Sequence, residues 1–214
     1  MINVVIIDYG SGNLRSAAKA FERALSDISP SAKVTVSSEA AALTKASHIV
    51  LPGVGAFGDC RAGLDAVPDM VGALERQVVE GGKPFLGICV GMQLMAGRGI
   101  EHGTHAGLGW IGGEVVPLAP NDPALKIPHM GWNELSFCRD HPATKNLGNG
   151  EHVYFVHGYH MECTNQADVL ATTDYGGPVT AMVARDNMIG TQFHPEKSQE
   201  AGLEFINGFL RWRP

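Results

Sequence analysis

Aromatic residues are scarce in this chain, at 7% of 214 residues, and charged residues reach only 18%. Apolar residues nevertheless make up 44%, too many for a disordered segment, so the chain has what it needs to build a globular core. No apolar run approaches the ~20 residues of a membrane-spanning helix, which excludes a helical membrane protein. Positive charge is also short: 16 Lys and Arg stand against 22 Asp and Glu, for a net charge of −6, and the basic residues are scattered. A phosphate backbone therefore finds no electrostatic footprint, and nucleic acid is excluded as a partner. Cysteine is sparse too. Cys60, Cys89, Cys138 and Cys163 contain no CxxC pair, which fits neither a disulfide framework nor a zinc ribbon. The opening Met1–Asp8 has no charged start, long apolar stretch or cleavage site of a signal peptide, so a cytoplasmic protein is expected. The length suits one domain spanning 1–214.

What is present is an alternation. A short β-branched run to Asp8 breaks at Gly10-Ser11-Gly12, and Leu14, Ala17, Ala18, Phe21 and Leu25 follow at helical spacing. Strands are predicted at Lys33–Val36, His48–Leu51 and Pro84–Ile88, with helices at Glu39–Lys45, around Asp69–Glu80 and after Cys89. This reads as an α/β fold with a mostly parallel central sheet flanked by helices. Beyond Trp110, strand-like pieces at Gly113–Leu118, His152–Val156, Val169–Thr173, Val179–Ala184 and Met188–Phe193 predict antiparallel strands added to that sheet. A final helix is predicted over Ser198–Trp212, its buried face marked by Leu203, Ile206 and Leu210.

Chemistry concentrates in three segments. In Phe85-Leu86-Gly87-Ile88-Cys89-Val90-Gly91-Met92-Gln93 a buried strand turns into a helix at a cysteine flanked by glycines, the pattern of a nucleophile elbow with sulfur in place of oxygen. The helix N-terminus would stabilise negative charge on that sulfur. A buried core cysteine beside incidental glycines is the bland alternative. His194-Pro195-Glu196 follows an apolar strand and offers a base with a carboxylate to orient it. Taken alone that tripeptide is more readily a solvated turn; its meaning comes from the elbow. Leu51-Pro52-Gly53-Val54-Gly55-Ala56-Phe57 follows a third strand. In a parallel sheet it emerges on the same edge as Cys89, where backbone N–H groups of Gly53 or Val54 and of Val90 can serve an oxyanion. A plain glycine turn is the alternative.

PGVGAF, GICVGMQ and HPEKS, in this chain order, resemble the class I, triad-type glutamine amidotransferase family, over essentially the whole sequence. Asp8-Tyr9-Gly10-Ser11-Gly12-Asn13-Leu14 and Pro128-His129-Met130-Gly131-Trp132-Asn133 narrow the resemblance to the glutaminase subunits of imidazole glycerol phosphate synthases. The resemblance implies catalysis by Cys89, His194 and Glu196, glutamine bound against Gly55 and Gln93, and the backbone of Gly158 and Tyr159 holding its α-amino-acid end. It implies that Asn13, Trp132, Asn133 and Lys197 face a partner, the (β/α)₈-barrel cyclase subunit, in a heterodimer. It implies no cofactor and no metal. Gly158 departs from the family, where a hydroxyl residue is usual. The Gly- and His-rich stretch 97–109 receives no functional reading.

Nine histidines invite a metal, yet no ligand-spacing motif appears. His157 and His160 are predicted on one strand with side chains on opposite faces, and His102 and His105 in a loop. His129 reads as an interface or packing residue, and Cys60, Cys138 and Cys163 as buried thiols. Other readings stay open: a glutaminase serving another synthase, a cysteine hydrolase of another α/β family, or a noncatalytic subunit.

Overall fold

In the computed structural model, which describes residues 2–26, 28 and 31–214, the opening β-branched run becomes an interior strand paired on both sides. From the N-terminus the elements run β1 (Asn3–Ile7), α1 (Leu14–Ser26), β2 (Lys33–Ser37), β3 (His48–Gly53), α2 (Phe57–Ala66), α3 (Met70–Leu74), β4 (Phe85–Cys89) and α4 (Val90–Gln93). There follow β5 (Ala96–Gly99), β6 (His105–Ala106), β7 (Ile111–Pro117), β8 (His129–Glu134), β9 (Ser136–Phe137), β10 (His152–His157) and β11 (Tyr159–Cys163). Last come β12 (Val169–Asp174), β13 (Pro178–Arg185), β14 (Met188–Thr191) and α5 (Gln199–Arg211).

The central sheet has the order β2-β1-β3-β4-β14-β13-β12-β9. Its first five strands are parallel and the last three antiparallel. Strands β3 and β4 are buried along their whole length, which accounts for their apolar sequence after His48. The chain winds from β1 to β2 in one direction and through β3 and β4 in the other. With right-handed crossovers the helices then fall on opposite faces. Accordingly α1 packs against α5, and α2 against α3. Phe21 of α1 and Phe209 of α5 meet edge to face at 6.3 Å in the first of these layers.

Several elements differ from their sequence-based reading. The stretch Ala40–Lys45 is a 3₁₀ helix, and α3 continues as a π-helix over Glu75–Glu80. After Cys89 there is a single helical turn, too short for a sizeable macrodipole. On α5 the core face is Phe205, Ile206, Phe209 and Leu210, while Leu203 is only partly buried. Gly202 explains the rotation, because a Cβ there would overlap the Pro195 carbonyl and the helix closes in at that point. Of the strands beyond Trp110, only β9, β12, β13 and β14 join the central sheet. β7 and β11 belong to a four-stranded sheet with β5 and β6, and β8 and β10 form a separate ribbon. His157 and His160 consequently lie on different strands in different sheets, divided at Gly158, so the alternation of one strand does not apply to them.

Candidate active site

Cys89 is the last residue of β4 and the first turn of α4 begins immediately after it. Its φ of 54° and ψ of −112° lie outside the regions open to an ordinary side chain, at a cost of about 1–3 kcal/mol. Glycines make this turn possible. A Cβ at Gly91 would overlap the Leu51 carbonyl, and one at Gly87 would lie 2.6 Å from the Gly91 carbonyl oxygen. The helical turn thus rests directly on β3 and β4. Register aligns Gly53 with Cys89, and Ile88 with Thr191, so the ends of three strands meet on one edge of the sheet.

His194 leaves that edge three residues after β14. Its Nδ1 lies 2.8 Å from Glu196 Oε1, and both side chains are almost wholly buried, at 2% and 3% exposure. Nδ1 is therefore the protonated nitrogen, since a carboxylate only accepts. The buried Nε2 makes no hydrogen bond of ordinary length, and the Cys89 sulfur is its electrostatic partner. Burial alone would lower the ring's proton affinity. Cys89 and Glu196 outweigh it and hold the imidazole above the ordinary histidine range. Ser198 fastens the segment from behind, donating to the His194 carbonyl at 2.6 Å and accepting from the Tyr154 N–H at 3.0 Å.

These groups open on a cavity of about 200 Å³ lined by Val54, Gly55, Cys89, Val90, Gln93, Glu101, Val156, His157, Gly158, Tyr159, His194 and Lys197. A larger cleft of about 470 Å³ between Phe137 and Asn149 holds no cysteine. Every substrate-binding residue inferred above except Gly53 lines the small cavity. Gly53 lies just beneath, where a Cβ would sit 2.7 Å from the Tyr9 hydroxyl and 2.8 Å from the Gly91 nitrogen. The oxyanion donors are not equivalent. Val54 N–H donates to Ser11 Oγ at 3.0 Å, and Ser11 returns a 2.6 Å bond to the Val54 carbonyl, so that donor is engaged elsewhere. Gln93 is buried, with Nε2 donating to the Tyr159 carbonyl at 3.0 Å and to Gln192 Oε1 at 3.1 Å, so its amide hydrogens serve the wall.

Glu101 was absent from the sequence-based set. It comes from the stretch 97–109 and contributes the cavity's free carboxylate, one oxygen of which accepts from Phe57 N–H at 2.7 Å at the start of α2. An isolated glutamate in a glycine-rich loop carries no signal of its own; only the fold brings it into the cavity that Cys89 lines. At Gly158 a Cβ would meet nothing closer than Ile127 at 3.6 Å, so this position has room for a larger residue.

The four residues assigned to a partner face are differently placed. Trp132 is 46% exposed, close to the still more exposed Met130, and Lys197 is exposed at the cavity rim with Nζ 5.7 Å from the Tyr154 ring centre. Asn13 is half-buried, and its carbonyl accepts the first helical bond of α1 from Ala17. Asn133 turns to the other face of β8 from Trp132, bonding the Asp174 carbonyl and His129. Cys60 and Cys163 are buried as expected, but Cys138, which directly follows the edge strand β9, is exposed. Among the described residues no three His, Cys, Asp or Glu side chains are grouped to hold a metal ion, and no helix is long and apolar enough to cross a membrane.

The family described as glutamine amidotransferase class-I matches residues 5–211. Imidazole glycerol phosphate synthase subunit HisH from Bradyrhizobium diazoefficiens is 57% identical, and those from Rhodospirillum rubrum and Brucella melitensis 56%, over the full length of both chains in each case. Among solved structures, a glutamine amidotransferase superimposes with a TM-score of 0.71 at 18% identity, covering 96% of this chain and 98% of that one. A second, from Thermotoga maritima, gives a TM-score of 0.59 at 16% identity, covering 91% and 76%; at such identities the likeness is one of fold. A family match over nearly the whole sequence, joined to relatives this similar from end to end, leaves one conclusion: the chain belongs to the class-I glutamine amidotransferases.

Proposed function

We propose that this chain is the glutaminase subunit of an imidazole glycerol phosphate synthase, releasing ammonia from glutamine for a partner that builds the imidazole ring. The observation that carries the chemistry is the meeting of Cys89, at the strained end of β4, with the buried His194–Glu196 pair beyond β14. The full-length relatives named above carry the choice of synthase.

His194 Nε2 takes the Cys89 thiol proton, the sulfur attacks the side-chain amide carbon of glutamine, and the amide oxygen becomes an oxyanion facing the Val90 N–H. His194 gives its Nε2 proton to the departing ammonia, leaving a thioester. Water then attacks that thioester, the ring taking its proton, and glutamate leaves as the sulfur is regenerated. Glu196 keeps Nδ1 protonated and stabilises the imidazolium. The Glu101 carboxylate on the cavity wall supplies counter-charge for the α-ammonium of glutamine, a group that any glutamine site must satisfy. No cofactor takes part.

Ammonia in neutral water is mostly ammonium, which has no lone pair for attack, so a sheltered route into the partner is required. The partner is a (β/α)₈-barrel cyclase bound one to one through the face that exposes Trp132 and Lys197. The test is glutamate release by the purified chain alone and with that cyclase carrying its nucleotide ligand; marked stimulation is expected, and none in a demonstrated complex would point to another synthase. Cys89→Ala should abolish glutamine-dependent synthesis by the complex and spare synthesis from added ammonia. Loss of both would refute a role confined to ammonia supply.

A further inference from the structure

The ribbon of β8 and β10 sets His129 directly opposite His157, and both are buried. His129 is enclosed between the ring of Tyr175, at 3.9 Å and 22°, and that of Phe155, at 4.7 Å and 18°. Its hydrogen bonds fix both tautomers. The Tyr159 carbonyl can only accept, so His157 Nδ1, 2.9 Å away, carries a proton. A neutral His157 then accepts at Nε2, and the donor 3.1 Å away is His129 Nδ1. His129 Nε2 in turn accepts from Asn133 Nδ2 at 3.3 Å, whose other hydrogen goes to the Asp174 carbonyl at 2.8 Å. Burial holds His129 down at about 4 and His157 at about 3, which maintains the neutral rings that this arrangement needs. All three bonds from Asn133 to Tyr159 therefore point the same way.

That chain ends on the carbonyl that also accepts from Gln93 Nε2. Gln93 continues to Gln192, whose Nε2 lies 3.7 Å from the Cys89 sulfur. Gly158 and Tyr159 line the cavity beside Cys89. On the other face of β8, Met130 and Trp132 are exposed. We propose that the His129–His157 pair is a positioning device that ties β8 to the Tyr159 carbonyl and, through Gln93, holds the Gly158–Tyr159 wall in place for glutamine. It rests on the glutaminase reading above. A chain of buried, fully directed hydrogen bonds has no slack at its middle, so a shift of β8 under load on Met130 and Trp132 reaches the wall of the site.

Two substitutions at one position separate positioning from packing. His129→Phe keeps a ring between Tyr175 and Phe155 but has no donor, whereas His129→Asn places an amide nitrogen near the Nδ1 position and restores the bond. In His129→Phe, kcat/KM for glutamine hydrolysis is expected to fall about tenfold, with a raised KM, as for one lost buried hydrogen bond. His129→Asn should regain most of that loss. A purely structural role would lower the melting temperature and leave KM where it was. Nitrogen-15 spectra of the full chain give a readout independent of activity: both rings should appear as Nδ1–H tautomers at neutral pH. The Gln93 side-chain amide should move in His129→Phe and return in His129→Asn. Unchanged kcat/KM in folded His129→Phe overturns the proposal, as does an Nε2–H or imidazolium form of either ring in the wild type. Should His129→Phe fail to fold, His157→Asn cuts the same link while keeping a donor to Tyr159, and the same direction of change is expected. A wild-type chain that never releases glutamate, alone or with its partner, counts against the glutaminase reading, and the spectra still decide the fate of the pair.

Discussion

Exchanging Glu196 for Gln removes one charge from a pair buried on both sides and leaves the shape of the site almost unchanged. In the native chain His194 Nδ1 donates to Oε1 at 2.8 Å. A glutamine oxygen can still accept that bond, so the tautomer survives and the charge is what is lost. A hydrogen bond to a charged partner contributes about 1.5–3 kcal/mol against about 1 kcal/mol for a neutral one. Removing one member of a buried pair outright costs roughly 3–5 kcal/mol. Between these bounds, about 3 kcal/mol of stabilisation of the imidazolium disappears, which corresponds to roughly a hundredfold in kcat. The sign on pH is also fixed. Glu196 helps to hold His194 above the ordinary range, so without its charge the ring loses its proton at lower pH, and the alkaline limb of the rate profile moves down. The assay is glutamate release between pH 6 and 10 on a variant shown by circular dichroism to be folded. A kcat within threefold of wild type, or an alkaline limb that stays in place, would refute the argument that Glu196 acts by stabilising the imidazolium.

Three further outcomes follow from the same geometry. Ser11→Ala removes both Ser11 bonds to the Val54 peptide, leaving the Cys60 thiol on its carbonyl, and frees its N–H, so basal glutaminase activity of the isolated chain should rise about three- to tenfold, against roughly 10²–10³ for a fully formed donor; an unchanged rate would mean that this N–H takes no part. Glu101→Gln should raise the KM for glutamine about tenfold or more with a smaller change in kcat, measured by initial rates, because it removes the counter-charge proposed for the α-ammonium; a fall in kcat with KM unchanged would place Glu101 elsewhere in the reaction. Stability should decline with acid: His129 and His157 are neutral when folded, down to about 4 and about 3, but take up protons near 6.5 when unfolded. At these two rings the unfolded chain therefore binds more protons below that value, so their contribution to stability is full above pH ~6.5 and is lost as pH drops toward 4, with up to about 3 kcal/mol of that loss due to His129 (2.5 pH units at about 1.36 kcal/mol each). Urea denaturation at pH 7.5 and 5 measures it, and equal midpoints would show that these rings are solvated.

The elbow was readable before folding because its requirements are local. Only glycine fits at Gly87 and Gly91 when a helical turn lies against two strands, and the apolar run into Cys89 names the strand. The same holds for β1, β3 and the strand leading to His194, whose burial on both faces favours the mainly apolar runs 4–7, 49–51 and 188–193. Periodicity was weaker where elements are irregular. It missed the π-helical continuation of α3, the brevity of α4 and the rotation of α5 that puts Phe205 and Phe209 inward, since none of these changes the apolar content of its segment. It also sent β7 and β10 to the central sheet, because alternation says that a strand exists and not which neighbour it pairs with.

What the sequence by itself determined is therefore the elbow at Cys89, the His194–Glu196 segment and the parallel layers that carry them, each written within a short segment by steric need or by the sealing of apolar surface. What only the tertiary structure decided is everything made by residues distant in the chain. Glu101 enters the cavity beside Cys89, Ser11 takes the Val54 N–H, and Asn133 turns inward while Trp132 turns out. Those contacts depend on strand order and on which side of a ribbon faces the core, quantities that the free energy of the whole fold sets and no local pattern contains.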